Sequence, residues 1–282
     1  LFRSGARLTL VSLDWQLGRW ARALKEWEQA QAEEGEWLQL GRAQMLTAAL
    51  RSHIANDLGQ PEVARQALEK ALPAARHFAE LQTLVPLLGE LIRASSASGS
   101  DAQPQAAIQE LRARLDQSAY FDHDTPLPLL FAIRWLVGQR DAQALDAAQD
   151  CLDRLARARQ QFGTLPVELA WQEGQGCLFA AQGATDKAVE QFQRAAAGWE
   201  TLERPYDQLR VLAALAAAYI RNSQATLGQR TYKQALAIIN MLAGQLEEAT
   251  LRESFLSSEL AAEVRAGLDA QPAAQPAVHN LP

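Results

Sequence analysis

Gly183-Ala-Thr-Asp-Lys-Ala188-Val-Glu-Gln-Phe192-Gln-Arg-Ala195 is the stretch that decides the fold. A glycine stops one helix. Small residues then stand at Ala188 and Ala195, with an aromatic residue at Phe192 between them. The same order recurs as Gly18, Ala23, Trp27, Ala30 and as Gly59, Ala64, Leu68, Ala71; a weaker copy runs Ser223, Gly228, Tyr232, Ala235. Neighbouring copies lie about 40 residues apart, and self-similarity at such a period marks stacked helical hairpins. The small residues suit places where helices approach closely, and the bulky ones fill the space between units. A stack of this kind offers a long surface for binding, more readily than a pocket for chemistry.

Outward from these copies, the chain reads as all-α. Ala, Leu, Gln, Glu and Arg dominate, all strong helix formers, and no stretch alternates with period two. Turn signals divide it into six helix pairs at about 4–33, 39–79, 80–117, 126–161, 166–202 and 206–243. A terminal helix follows at about 247–267, and the Pro- and Ala-containing tail 268–282 reads as disordered. Pro61 and Pro126 suit the first turn of a helix, where the missing N–H costs nothing. Thr185 reads as the cap of the helix after Gly183, and Asp124 or Thr125 as the cap before Pro126. Glu247 and Glu248 suit the start of the terminal helix. The run Ser95-Ser96-Ala97-Ser98-Gly99-Ser100 reads as the most flexible connector.

The formal charge is −6, spread along the chain without the basic cluster that nucleic-acid binding needs. No apolar run reaches the roughly 20 residues of a membrane span, and no secretory leader is visible. Cys151 and Cys177 form no framework and stand at no metal spacing, which fits a reducing, cytoplasmic setting. The start on Leu-Phe-Arg, without Met, leads us to expect a piece of a longer chain.

The repeated pattern resembles the tetratricopeptide repeat. Gly183 to Ala195 matches its turn glycine, both small positions and its aromatic; Gly18 to Ala30 matches as well and adds Trp20 after the turn. The resemblance is clear in units one, two and five, weaker in six and poor in three and four. It implies a right-handed α-solenoid. The standard unit is about 34 residues, and the longer period here is similar to the repeat regions of large bacterial signalling ATPases of the STAND class, including the maltose-activator-like LuxR-type regulators. Gly198-Trp-Glu-Thr-Leu-Glu-Arg-Pro-Tyr-Asp-Gln-Leu-Arg210 and Leu251-Arg-Glu-Ser-Phe-Leu256 look like the C-terminal part of such proteins. In that family a repeat domain follows a nucleotide-binding module and senses a small ligand or a partner protein. No Gly-x-x-x-x-Gly-Lys-Ser/Thr and no helix-turn-helix output motif occurs in this sequence.

In the tetratricopeptide register, Trp15, His53, Asn56, Glu173, Arg210 and Arg221 fall on the concave face and are the candidate contacts for a protein or small-molecule ligand. The competing reading of each is a packed or solvated helical residue. Trp15 with Leu17 would be exposed in the first hairpin, opening a route to self-association or to contact with an upstream ATPase. A Lys/Asn peptide clamp is absent from the matching positions Leu8, Ser12, Ala49 and His53, which counts against a chaperone-adaptor groove. Asp122-His123-Asp124 is read as a polar turn, since no second His or Cys cluster supports a metal. Neither cysteine has the partner base a nucleophile needs, so we expect buried thiols and no enzyme, no metal and no cofactor. The expected role is a non-catalytic regulatory module of a larger signalling or transcription-regulatory ATPase; the alternative is a free-standing scaffold that binds a peptide or protein.

Overall fold

The computed structural model describes residues 2–38, 41–78, 80–96, 101–118 and 121–270, and these form fourteen α-helices and no strand. Six hairpins follow one another: α1 (Phe2–Gln16) with α2 (Trp20–Leu38), α3 (Gly41–Asp57) with α4 (Pro61–Phe78), and α5 (Leu81–Ser96) with α6 (Ala102–Asp116). Then come α7 (Pro126–Gln139) with α8 (Ala142–Phe162), α9 (Leu165–Ala181) with α10 (Thr185–Thr201), and α11 (Pro205–Arg221) with α12 (Ala225–Gly244). The expected single terminal helix is two, α13 (Ala249–Leu256) and α14 (Glu259–Asp269). The break is capped: Ser258 Oγ accepts from the Ala261 N–H at 3.3 Å, which starts a new helix where the old one has run out of amide partners. Helix α14 takes in Leu268 and Asp269, the first residues of the expected tail, while 271–282 lie outside the described residues. So do 97–100 of the serine-rich connector; Ser95 and Ser96 close α5.

One turn geometry builds the hairpins. Gly18, Gly59 and Gly183 all take left-handed φ, as does Ser223. At each, the next amide closes back over five residues: Arg19 N–H to Asp14 O, Gln60 to Ala55 O, Ala184 to Phe179 O, Gln224 to Tyr219 O. This is the Schellman closure, and its αL residue favours glycine. In the fourth hairpin the left-handed residue is Arg140 (φ 59°), which hides that copy from a search for glycine. Two expected caps take other partners. Thr185 is itself the first helical residue, and its hydroxyl donates to Asn222 Oδ1 at 3.1 Å, tying one hairpin to the next. Thr125 stands at the cap position, but its Oγ1 accepts from the Asp122 N–H behind it.

The motif residues carry the packing. Ala23, Ala64, Ala71, Ala188, Ala195 and Ala235 are fully buried, beside Leu68, Phe192 and Tyr232. Within the stack, α3, α5, α7 and α9 lie side by side in succession, while each even-numbered helix packs on its hairpin partner. The last helices return to the first. A methyl placed on Gly18 would stand 2.5 Å from Pro205 Cγ, and one on Gly59 would stand 2.8 Å from Ser258 Cβ. Trp20 meets Phe255 edge-on with centroids 4.9 Å apart and lies 6.1 Å from Tyr206. The array therefore closes on itself, α11 and α13 sealing the turns of the first two hairpins. The sequence leads us to expect Trp15 exposed at an open end, whereas it is 1 % exposed, stacked on Trp20 at 4.3 Å.

Candidate functional site: a cavity inside the closed array

Two largely buried polar clusters stand in the array. On one side Trp15 Nε1 donates to Asp57 Oδ2 at 2.8 Å. Arg93 donates to Asp57 Oδ1 at 2.5 Å and to Glu90 Oε2 at 3.1 Å. Glu90 also accepts from Asn56 Nδ2 at 2.8 Å, and His53 Nδ1 stands 2.9 Å from its other oxygen. Burial works against the Glu90 charge, but Arg93, His53 and Asn56 outweigh it and bring its pKa down to about 2. Burial likewise opposes the His53 charge, and the Asp57 and Glu90 carboxylates overcome it, leaving its pKa above the usual value. On the other side Arg210 grips both oxygens of Glu173 at 2.7 and 2.8 Å and donates to Asp207 Oδ1 at 2.7 Å. Arg134 adds a bond to Glu173 at 3.1 Å, and Arg204 pairs with Asp207 at 2.7 Å. Such bidentate, charge-assisted pairs are the strong ones.

Between these clusters lies a partly open cavity of about 430 Å³. Its wall is drawn from α1, α3, α5, α7 and α9, from the end of α10 and the turn after it, and from the turn before α7. It is mostly apolar: Leu8, Leu46, Leu50, Leu127, Phe131 and Val167 face it, helped by the prolines at the starts of α7 and α9. The polar groups on it are few, chiefly His53, Glu90, His123, Asp124 and Arg204. A mostly apolar concave site of this size with a few polar groups is what small-molecule binding requires.

The six candidate contacts fare differently. His53 lines the cavity. Asn56 lies beside it, occupied by the Glu90 carboxylate and carbonyl. Trp15, Glu173 and Arg210 are buried in the ion-pair clusters and do not line the cavity. Arg221 is the last residue of α11 and is exposed, away from the cavity wall. Sequence reasoning missed Trp199, Arg204, Phe131 and the proline-rimmed wall of α7. Trp199 and Arg204 had a signal: they are the two ends of the Schellman turn before α11, with Arg204 N–H bonded to Trp199 O at 3.0 Å.

His123 stands between Asp122 and Asp124 at the rim, its ring nitrogens 2.6 and 3.6 Å from their carboxylates. Potential ligand atoms of all three come within 4.8 Å of one another, and no further His, Cys, Asp or Glu joins them among the described residues. Both cysteines are buried, and burial pushes the Cys151 thiol up to about 12 and the Cys177 thiol up to about 11, so neither is a ready nucleophile at neutral pH. No described helix is long and apolar enough to cross a membrane. Neither a protein-family model nor a curated protein matches the chain.

Proposed function

We propose that the chain is a right-handed α-solenoid of six tetratricopeptide-like repeats acting as a non-catalytic, cytoplasmic sensor module that binds a small molecule inside its ring. In this reading it serves a larger bacterial signalling or transcription-regulatory ATPase, and ligand binding alters its contacts with the rest of that protein. The observation that carries the proposal is the cavity: the first helices of five consecutive hairpins, with the end of α10 and two turns, converge on about 430 Å³ of largely apolar space. An extended peptide needs a long continuous groove, whereas this space is a local, partly open cavity lined largely by apolar side chains. The ordered turns at Gly18, Gly59, Gly183 and Ser223 support the repeat reading. Binding regulates only through unequal affinity for two states of the array, so the ligand is expected to tighten the contact between its ends.

The test is a thermal-shift screen of a metabolite library on the chain and on Ala49→Phe, which fills the cavity wall. A compound that raises the melting temperature of the unaltered chain and not of the variant supports the reading. A library with no such compound, together with specific capture of extended peptides, replaces it with the scaffold alternative.

A further inference from the structure

We infer that the cavity takes a small monocarboxylate with an apolar body, its carboxylate held by the indole N–H of Trp199 and the Nε–H of Arg204; this rests on the sensor reading above. Trp199 is fully buried and lines the cavity, yet its Nε1–H meets no acceptor among the described residues. Arg204 lines the same wall, and its Nε–H is likewise without an acceptor. A buried donor left unmade costs free energy that an acceptor recovers. Both residues line one wall, and a carboxylate has an acceptor oxygen for each of the two donors.

The pair is local in origin. The Schellman turn before α11 joins Trp199 and Arg204, and the Arg204 guanidinium sits 4.7 Å above the Trp199 ring. Its Nη2 pairs with Asp207, while its buried Nε–H has no acceptor among the described residues. The surrounding charges set the ligand's sign. Arg134, Arg204 and Arg210 share two buried carboxylates, Glu173 and Asp207, an excess of one positive charge among these five groups, which the exposed Glu263 beside Arg134 offsets in part. One surplus charge suits a monoanion, not a phosphate dianion. The other carboxylates on the wall do not compete for a cation: Glu90 is held by three donors, and Asp124 stands at the rim beside His123. The body of the ligand lies along Leu50, Leu127, Phe131 and Val167. Both donor atoms lie below the surface, and the Arg204 side chain is 13 % exposed. Binding in this mode therefore requires the Arg204 head to shift off the indole, so that both donors open to the cavity.

The experiment titrates octanoate, neutral octanamide and cationic octylamine into the ¹⁵N-labelled chain. The readout is the indole N–H resonances of the seven tryptophans, with Trp199→Phe assigning the relevant one. Octanoate is expected to move the Trp199 resonance and to bind roughly ten- to a hundredfold more tightly than octanamide, with octylamine weakest. Trp199→Phe keeps the ring and its stacking, and Arg204→Gln keeps a polar side chain; each is expected to lower octanoate affinity toward that of octanamide while far-ultraviolet circular dichroism stays helical. Equal binding of octanoate and octanamide, abolished in Ala49→Phe, would leave the cavity as a ligand site and overturn the carboxylate assignment. Octanoate affinity unchanged in both folded variants, or no binding by any of the three, overturns it as well; in the latter case the library screen still decides the sensor reading.

Discussion

Gly18 and Gly183 occupy the same turn and the same left-handed backbone, with φ of 69° and 78°, but they face different surroundings. An alanine at either position bears the left-handed penalty, about 1–2 kcal/mol. At Gly183 nothing lies within 4 Å of the new methyl, so Gly183→Ala is expected to cost that amount alone. At Gly18 the methyl would stand 2.5 Å from Pro205 Cγ and 3.3 Å from Leu242 Cδ2. A proline ring at the start of a helix cannot rotate away, so overpacking adds about 1–3 kcal/mol. Gly18→Ala is therefore expected to cost about 2–5 kcal/mol. Urea unfolding of both variants, followed by circular dichroism, gives the two losses side by side. Equal losses would refute the reasoning, because the excess at Gly18 exists only if the sixth hairpin touches the first.

Further outcomes follow from the buried charges and the motif. Arg210→Met strips Glu173 of its bidentate partner and Asp207 of one bond, and is expected to destabilise by about 3–5 kcal/mol; Arg210→Met with Glu173→Leu should recover most of that loss in the same unfolding assay. The His53–Glu90 pair sets a pH window. Glu90, depressed to about 2 from 4.5, contributes stability above pH 4.5 that is lost as pH falls through about 2. His53, raised above 6.5, contributes stability that is complete below pH 6.5 and fades as pH rises through its folded value. Melting temperature should thus plateau between pH 4.5 and 6.5, and His53→Gln should flatten the alkaline decline. Ala188→Leu, at a fully buried motif position, should cost about 1–3 kcal/mol by overpacking, measured by thermal unfolding.

The hairpins were legible because each is written locally. A left-handed turn glycine, two small residues and an aromatic constrain a few adjacent turns of helix, and helical periodicity supplies the rest. Where the turn residue is Arg140, the pattern disappears although the backbone is again left-handed, so the fourth unit reads poorly. The break at Ser257-Ser258 was equally faint: a single serine cap in a segment of good helix formers. Closure was not legible at all. It depends on Pro205 meeting Gly18 and Ser254 donating to the Gly59 carbonyl at 3.4 Å, contacts between residues nearly two hundred positions apart that no local pattern encodes. The candidate site inherits both facts. The repeat register placed His53, Asn56, Glu173 and Arg210 on the inner side, but it could not show that the ring's own ion pairs consume most of them. Nor could it show that the cavity wall is built from turn and proline residues outside the motif.

Closure is tested most directly by Gly59→Cys with Ser258→Cys, positions whose β-carbons would stand 2.8 Å apart, so that the two turns must draw back by about 1 Å to reach the roughly 3.5–4.5 Å of a disulfide. The native Cys151 and Cys177 are buried with raised thiol pKa values and should stay out of the reaction. Mild oxidation is expected to give a monomer with an internal cross-link, reversible by reductant and seen as a faster band on a non-reducing gel. Cross-linking only between molecules, or none in the folded monomer, would mean that the ends of the array stand apart and would contradict closure.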